Sequence, residues 1–117
     1  MYVKKLPESL EYGVNMTIKV LGGKWKACLL DSIHSGIRRP SDLHRSIPEA
    51  PPRVLNQQLK VLEELHIIYK KIYPEVPPKV EYYLTEWGTS LLPVIMQMES
   101  WGNDYFEKTA ENSLLRK

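Results

Sequence analysis

Residues 36–85 have the sequence GIRRPSDLHRSIPEAPPRVLNQQLKVLEELHIIYKKIYPEVPPKVEYYLT, and this stretch decides the fold. Pro40 and the pair Pro51-Pro52 each stand at the start of a short amphipathic run. Proline is favoured in the first turn of a helix, where its missing N–H costs no hydrogen bond. The sequence therefore predicts two helices joined by a tight turn, a helix-turn-helix over residues 40–65.

A β-hairpin is predicted directly after these helices. Residues 67–73 and 79–85 are rich in β-branched side chains and tyrosine, which favour strands. The intervening residues 74–78 are PEVPP, and proline cannot continue a strand ladder. A hairpin over residues 67–85 with a stiff tip, following a helix-turn-helix, indicates a winged helix-turn-helix.

Three further helices complete the predicted fold. Residues 10–21 and 24–35 form two helices separated by Gly22-Gly23, because glycine accepts the left-handed conformation that ends a helix. A long helix covers residues 86–109, and residues 37–39 can form a short strand. We expect one α+β, mainly α domain over residues 1–117.

Composition bounds the possible classes of protein. Hydrophobic residues make up 43% of the 117 residues, enough for a core in one domain. No apolar run approaches the roughly 18 residues that a membrane span needs, and the N-terminus lacks a signal-peptide core. The single cysteine cannot form an internal disulfide. We expect a cytoplasmic protein with no membrane partner.

The charge is distributed unevenly along the chain. Residues 1–79 contain 13 Lys and Arg against 8 Asp and Glu, whereas residues 80–117 contain 3 against 6. A basic first part is typical of a chain that contacts phosphate, although an uneven solvated surface would give the same counts.

The second helix of the helix-turn-helix has one apolar and one polar face. At 100° per residue its leucines share one side, and the polar side carries Arg53, Asn56, Gln57 and Lys60. Arginine can bond guanine bidentately, and asparagine and glutamine can do the same to adenine. We predict that these four residues contact DNA bases; the alternative is an ordinary solvated helix face.

Other polar residues around the predicted motif suit contacts to the DNA backbone. They flank the helix-turn-helix and the wing, and they are Arg38, Arg39, Ser41, Arg45, Lys70, Lys71 and Lys79. Each is individually an ordinary surface residue, but together they predict a phosphate-binding surface.

The sequence offers little for catalysis or metal binding. His34, His44 and His66 lie on separate elements, and no metal-ligand spacing appears. Residues 22–24, GGK, lack the remaining residues of a phosphate loop. We expect no enzyme, no cofactor and no metal. Cys28 shares a helix stripe with Trp25, so a buried and inert thiol is expected.

The final helix carries an apolar stripe that a small domain cannot cover completely. Its members are Leu91, Val94, Ile95, Met98, Trp101 and Tyr105. A helix over residues 86–109 is about 36 Å long, and part of it must protrude. We predict that this stripe forms a dimer interface; a core helix within one chain is the alternative.

With these residues identified, the chain resembles the HxlR-type winged-helix regulators, which are related to the MarR group. The resemblance rests on Gly22-Gly23-Lys24-Trp25, Arg38-Arg39 with Leu43, residues 52–59 (PRVLNQQL), residues 73–82 (YPEVPPKVEY), and Leu84-Thr85-Glu86 with Gly88 and residues 90–93 (SLLP). It implies a homodimeric bacterial or archaeal transcription factor. It also implies that the first and last helices form the dimer interface, the fourth helix enters the major groove, and the wing tip lies by the minor groove or backbone.

The sequence departs from that family at one position. Members that sense oxidants or electrophiles carry a cysteine before the first helix, usually followed by proline, whereas Tyr12-Gly13 align with those two positions in this chain. We therefore do not expect that thiol switch in this chain, and its small-molecule or redox effector stays undefined. The expected function is sequence-specific regulation by a homodimer bound to double-stranded DNA at an inverted repeat. The alternative is a winged helix that docks proteins, because a fold does not fix a function.

Overall fold

A computed structural model describes residues 8–111 of the chain, with the side chains of residues 12–110. The elements in chain order are α1 (Glu8–Leu21), α2 (Lys26–His34), α3 (Pro40–Ser46), α4 (Pro52–Glu64), β1 (Ile68–Tyr73), β2 (Lys79–Leu84) and α5 (Glu86–Glu111). Two helices followed by an antiparallel hairpin confirm the predicted winged-helix fold.

The core lies where α2, α3 and α4 meet beneath the hairpin. Its fully buried side chains are Leu29, Leu30, Ile33, Leu43, Leu55, Leu59, Leu62 and Ile68. Partly buried residues of the last strand and the last helix, among them Tyr82, Leu84, Leu91 and Ile95, pack against this cluster. The apolar face of α4 is thus fixed against the core, and its polar face points to solvent.

Two helices end in the same left-handed turn. At the end of α2, Gly36 has φ +103, and the N–H of Ile37 donates to the carbonyl of Ser32. At the end of α4, His66 has φ +60, and the N–H of Ile67 donates to the carbonyl of Leu62. These are Schellman motifs, which satisfy the last carbonyls of a helix and here set the chain direction into the next element.

The wing is a regular hairpin with a proline-rich tip. Ile68 pairs with Leu84 at its base and Tyr73 with Lys79 at its outer end, leaving residues 74–78 as the tip. The predicted strand at residues 37–39 is not formed as a strand. Arg38 does accept one backbone hydrogen bond, from the N–H of Tyr82, at 2.8 Å.

The hairpin passes directly into α5 through a capped and tightly packed turn. The hydroxyl of Thr85 accepts a hydrogen bond from the N–H of Gly88 (3.1 Å) and donates to the carbonyl of His66 (2.7 Å). A Cβ at Gly88 would collide with the carbonyl oxygen of Ile67. Only glycine lets α5 approach the hairpin this closely.

The prediction that Cys28 is buried is wrong. Leu29, Leu30 and Ile33 take the core side of α2, so the buried face is rotated away from the stripe inferred from Trp25. Cys28 is exposed, in a cleft between α2 and α5 that Ala27, Ile95 and Met96 also line.

Candidate nucleic-acid interface

Helix α4 presents a continuous polar face. Arg53, Asn56, Gln57 and Lys60 are all exposed, as their spacing predicted. The opposite face is held by Leu55, Leu59 and Leu62, each no more than 1% exposed, so the helix cannot rotate without opening the core. The face of α4 that carries the four polar residues is therefore fixed relative to the core.

One contact that the sequence did not reveal connects α3 to this face. The Nε2 atom of His44 lies 2.8 Å from Oδ1 of Asn56, and the residues are twelve positions apart in sequence. Neither periodicity nor motif spacing signals such a pair, because it depends on how α3 crosses α4. The side-chain amide of Asn56 is thus oriented from a neighbouring helix.

A second feature brings the start of α3 to the tip of the wing. Arg39, Ser41 and Lys79 line one cleft of about 380 Å³ together with Pro77 and Pro78. The cleft gathers three of the predicted backbone contacts from two elements that lie far apart in sequence. A guanidinium, a hydroxyl and an ammonium group around one opening suit a phosphate oxygen.

Arg38 is held within the domain more than the sequence suggested. Its side chain is half-buried, its Nη1 donates to the carbonyl of Tyr82 at 3.2 Å, and its guanidinium lies 4.2 Å from the ring centre of Tyr83. Arg38 connects the segment before α3 to the wing, and because its guanidinium makes these contacts, less of its hydrogen-bonding capacity is available for phosphate.

The remaining basic residues are exposed or loosely paired. Arg45 forms an ion pair with Asp42 one turn earlier in α3, and Lys70 lies 4.0 Å from Glu63. Lys71 stands 5.1 Å from the ring centre of Tyr83. Exposed ion pairs of this kind contribute little to stability, so these arginine and lysine side chains can leave their carboxylate partners and bind DNA phosphates instead.

An aromatic network stiffens the wing around Lys79. The hydroxyl of Tyr83 donates to Oε1 of Glu81 at 2.7 Å, and this hydrogen bond, with the nearby charge of Lys79, lowers the pKa of Glu81 below its ordinary value. The hydrogen bonds to Tyr73 and Glu81 raise the pKa of Tyr83. The ammonium of Lys79 lies 3.7 Å from Glu81, which fixes its position beside the cleft.

A large apolar surface lies away from α4, on α1 and α5. Of the predicted stripe, Leu91 and Ile95 pack partly against the core of their own chain. Val94, Met98, Trp101 and Tyr105 are exposed, Met98 by 53% and Trp101 by 68%. The sequence analysis missed further exposed apolar residues, namely Tyr12, Val14, Met16 and Ile18 of α1 and Met96 and Phe106 of α5.

These two helices enclose an apolar groove. Val14, Ile18 and Leu21 of α1 face Val94 and Met98 of α5 across about 520 Å³. Trp101 and Tyr105 continue the apolar surface beyond this groove, and their rings are stacked with 5.1 Å between ring centres. These exposed apolar residues are contiguous rather than scattered singly, which indicates a contact surface.

Residues 8–111 contain neither a candidate membrane span nor a candidate metal site. No helix in that range is both long and apolar enough to cross a membrane. Nor do three or more His, Cys, Asp or Glu side chains of the described segment gather where they could hold a metal ion.

Comparisons with known proteins agree with this geometry. The sequence profile of the HxlR-like helix-turn-helix family matches residues 20–110. The chain is 39% identical over 104 residues to YdeP, an uncharacterized HTH-type transcriptional regulator of Bacillus subtilis, covering 89% of this chain and 81% of YdeP. It is 42% identical over 96 residues to the similarly described YkvN of the same organism, covering 82% and 81%.

Among solved structures, the redox regulator HypR in its reduced form superimposes with a TM-score of 0.76 at 39% identity, covering 86% of this chain and 98% of HypR. The chain therefore belongs to the HxlR-like helix-turn-helix family of transcriptional regulators.

Proposed function

We propose that this chain regulates transcription by binding a specific inverted-repeat operator as a homodimer. The observation that carries the proposal is the exposed polar face of α4, which lies in the same domain as the cleft formed by Arg39, Ser41 and Lys79. Sequence-specific DNA recognition needs side chains that read base edges and groups that bind the phosphate backbone. This domain offers candidates for both.

The dimensions of α4 suit the major groove. An α-helix is about 10–12 Å across, which matches the roughly 12 Å width of the groove. The 13 residues of α4 span about 20 Å, so its N-terminal half can enter the groove while the rest stays with the domain. Arg53, Asn56 and Gln57 lie in that half. We assign them to base contacts, with Lys60 at the far end of the same face.

The cleft at the wing tip would set the register of α4 in the groove. Arg39 and Ser41 belong to the start of α3, and Lys79 belongs to the wing. A DNA phosphate bound between them would therefore hold both α3 and the wing against the same DNA strand. Arg45, Lys70 and Lys71 would add backbone contacts, and Arg38 would mainly support the wing.

The apolar surface on α1 and α5 supports the homodimer. A second copy is its best occupant because the groove between Val14, Ile18 and Met98 continues into the exposed Trp101 and Tyr105 of the same helix. An isologous interface places two α4 helices symmetrically, and the operator must then be an inverted repeat.

Selection from a pool of random DNA duplexes tests this function. The purified chain should enrich a two-fold symmetric site whose half-sites are centred about one helical turn apart. The double variant Arg53→Ala/Gln57→Ala keeps the fold and the wing, and it should enrich no common sequence. A chain that binds no duplex even at low salt would contradict the proposal and favour a protein-docking winged helix.

A further inference from the structure

A cleft of about 440 Å³ lies between α2 and α5, and none of the residues assigned to DNA contacts lines it. Its volume falls within the range of clefts that hold small organic ligands, about 300–1,000 Å³. The cleft lies on the α2 side of α5, whereas the proposed dimer groove lies on the α1 side, and the two share only Met98. It is therefore a second, separate concave surface of the molecule.

Each wall of this cleft is one face of a helix. Cys28 and Asp31 are three residues apart on α2, and Ile95 and Glu99 are four residues apart on α5. These are the spacings that bring side chains to the same side of a helix. Because Ala27 and Cys28 have small side chains, α2 leaves space in front of α5.

The surface that α5 contributes to the cleft is mainly apolar. Ile95 is half-buried and packs against the core of its own chain, and Leu92 is half-buried almost one turn earlier. Met96 lies on the same wall and is exposed, and its flexible thioether side chain can adapt to ligands of different shape. These three residues offer a surface to the apolar body of a ligand.

The charged groups at the cleft are carboxylates. Asp31 of α2 and Glu99 of α5 line it, and both are exposed. In the part of the chain that the structure describes, no ion pair joins either carboxylate to a basic residue, and no lysine or arginine lines the cleft. An anionic ligand would meet two like charges here, whereas a cationic ligand would meet two opposite charges.

We propose that the cleft between α2 and α5 binds a small amphipathic organic cation. Its apolar body lies on Leu92, Ile95 and Met96, and its cationic group lies between Asp31 and Glu99. An amine or quaternary ammonium group attached to an aromatic ring system has this chemistry. The site does not depend on the DNA-binding function proposed above, because its test uses the free protein alone.

Two naphthyl probes of opposite charge test the class of ligand. The cationic probe is naphthylmethyl-trimethylammonium, and naphthylacetate is the anion of similar size. Calorimetric titration of the full chain at about pH 8, where an ordinary imidazole is neutral, should show saturable binding of the cation. The cation should bind at least about 10-fold more tightly than the anion. Equal affinities, or no binding of the cation at millimolar concentration, would overturn the inference.

The methionine methyl resonances locate the bound cation. In ¹³C–¹H methyl spectra, the signal of Met96 should shift on addition of the cationic probe, because this residue lines the cleft. The signal of Met16, which is exposed on α1 outside the cleft, should stay in place. A shift of Met16 without a shift of Met96 would place the cation elsewhere and overturn the inference.

Variants of the two walls separate the effect of charge from the effect of shape. Asp31→Asn and Glu99→Gln should each weaken the binding of the cation roughly 3- to 10-fold. Glu107→Gln removes an exposed carboxylate of α5 outside the cleft and should leave the affinity unchanged. Cys28→Phe places a ring in the cleft and should abolish binding, with urea unfolding to show that the variant is folded.

Two further results would overturn the inference. One is an unchanged affinity for the cation in both carboxylate variants, which would show that the charges of Asp31 and Glu99 play no part. The other is a dimer whose second copy covers the cleft, because the wild-type protein would then exclude the probe and the Met96 signal would not shift.

Discussion

Arg53 and Lys79 carry the same charge but differ in what their side chains recognise. Arg53 is exposed in the first turn of α4, and its planar guanidinium can form two parallel bonds to one guanine. Lys79 lies at the wing cleft beside Glu81, where its ammonium acts as a point charge toward phosphate. Position and chemistry together separate a base-reading residue from a backbone-contacting one.

This difference gives a prediction for two single variants. Arg53→Ala should cost about 1–3 kcal/mol of binding free energy on the preferred duplex and relax base preference. Lys79→Ala should weaken all duplexes about equally and reduce the salt dependence by roughly one contact per chain. Anisotropy titrations on specific and scrambled duplexes measure both. Loss of preference in Lys79→Ala with none in Arg53→Ala would reverse the assignment of α4 as the reading helix.

Cys28 provides a second prediction at the scale of one residue. Because the thiol is exposed, it should react with a thiol-specific dye in the folded protein, and Cys28→Ala should change the free energy of unfolding by less than about 0.5 kcal/mol. Since α4 carries no part of its cleft, diamide should leave the DNA affinity unchanged. A loss of affinity with diamide that Cys28→Ala abolishes would contradict this expectation.

At the scale of elements, the junction between the hairpin and α5 determines the direction in which α5 leaves the domain. Thr85 caps α5 and also bonds the chain before β1, so the wing, α4 and α5 meet at one point. Gly88 makes that meeting possible because no side chain separates α5 from the carbonyl of Ile67. The direction of α5 therefore depends on a single glycine.

Two glycine variants in α5 should act in opposite directions. Gly88→Ala places a methyl group against a backbone oxygen that cannot move freely, and it should destabilise the fold by about 1–3 kcal/mol. Gly102→Ala meets no described atom of its own chain within 4 Å and should stabilise the fold of each chain by up to about 1 kcal/mol through helix propensity. Urea unfolding measures both, and equal effects would show that close packing at Gly88 is unimportant.

The elements that follow from local patterns were predictable from the sequence. Prolines mark the starts of α3 and α4, alternation and the proline tip indicate the hairpin, and the polar face of α4 follows from helical periodicity. What escaped prediction depends on packing between elements. The buried face of α2 was misjudged at Cys28, and the pairing of His44 with Asn56 needed the crossing of two helices.

Gln58, on the apolar face of α4, is another residue whose contacts could not be predicted from the sequence. It falls on the apolar face without a reason visible in the sequence, and the structure places its amide nitrogen against Gly23, in the turn between α1 and α2. Its Oε1 atom is buried and has no hydrogen-bond partner among the residues described. Sequence periodicity cannot assign such a contact, because the neighbour comes from a distant turn.

At the scale of the whole molecule, α5 extends beyond the domain that it helps to build. Its 26 residues span about 39 Å, while the molecule measures 60 Å along its longest axis and 23 Å along its shortest. Leu91 and Ile95 anchor the helix to the core, and Met98 and Trp101 lie exposed. We infer that the second copy binds to this exposed part together with α1.

A charge in the middle of that surface should separate the two copies. Met98→Glu would bury an unpaired carboxylate at the dimer interface, at a cost of several kcal/mol. The variant should run as a smaller species in sizing with light scattering, or unfold, and it should lose operator binding with α4 unchanged. Ser100→Glu adds the same charge on the opposite side of α5 and should stay dimeric. A folded monomeric Met98→Glu with wild-type affinity would contradict the proposed assembly.

Two copies of the chain should present α4, α3 and the wing to one DNA duplex, and the salt dependence of binding tests this assembly most directly. Fluorescence anisotropy on a short duplex carrying the selected inverted repeat should give two chains per duplex. With on the order of 6–10 phosphates contacted, log K should fall with log salt by about 0.9 per contact. A scrambled duplex should bind more weakly at every salt concentration. No binding at low salt, or an affinity independent of salt, would contradict the claim.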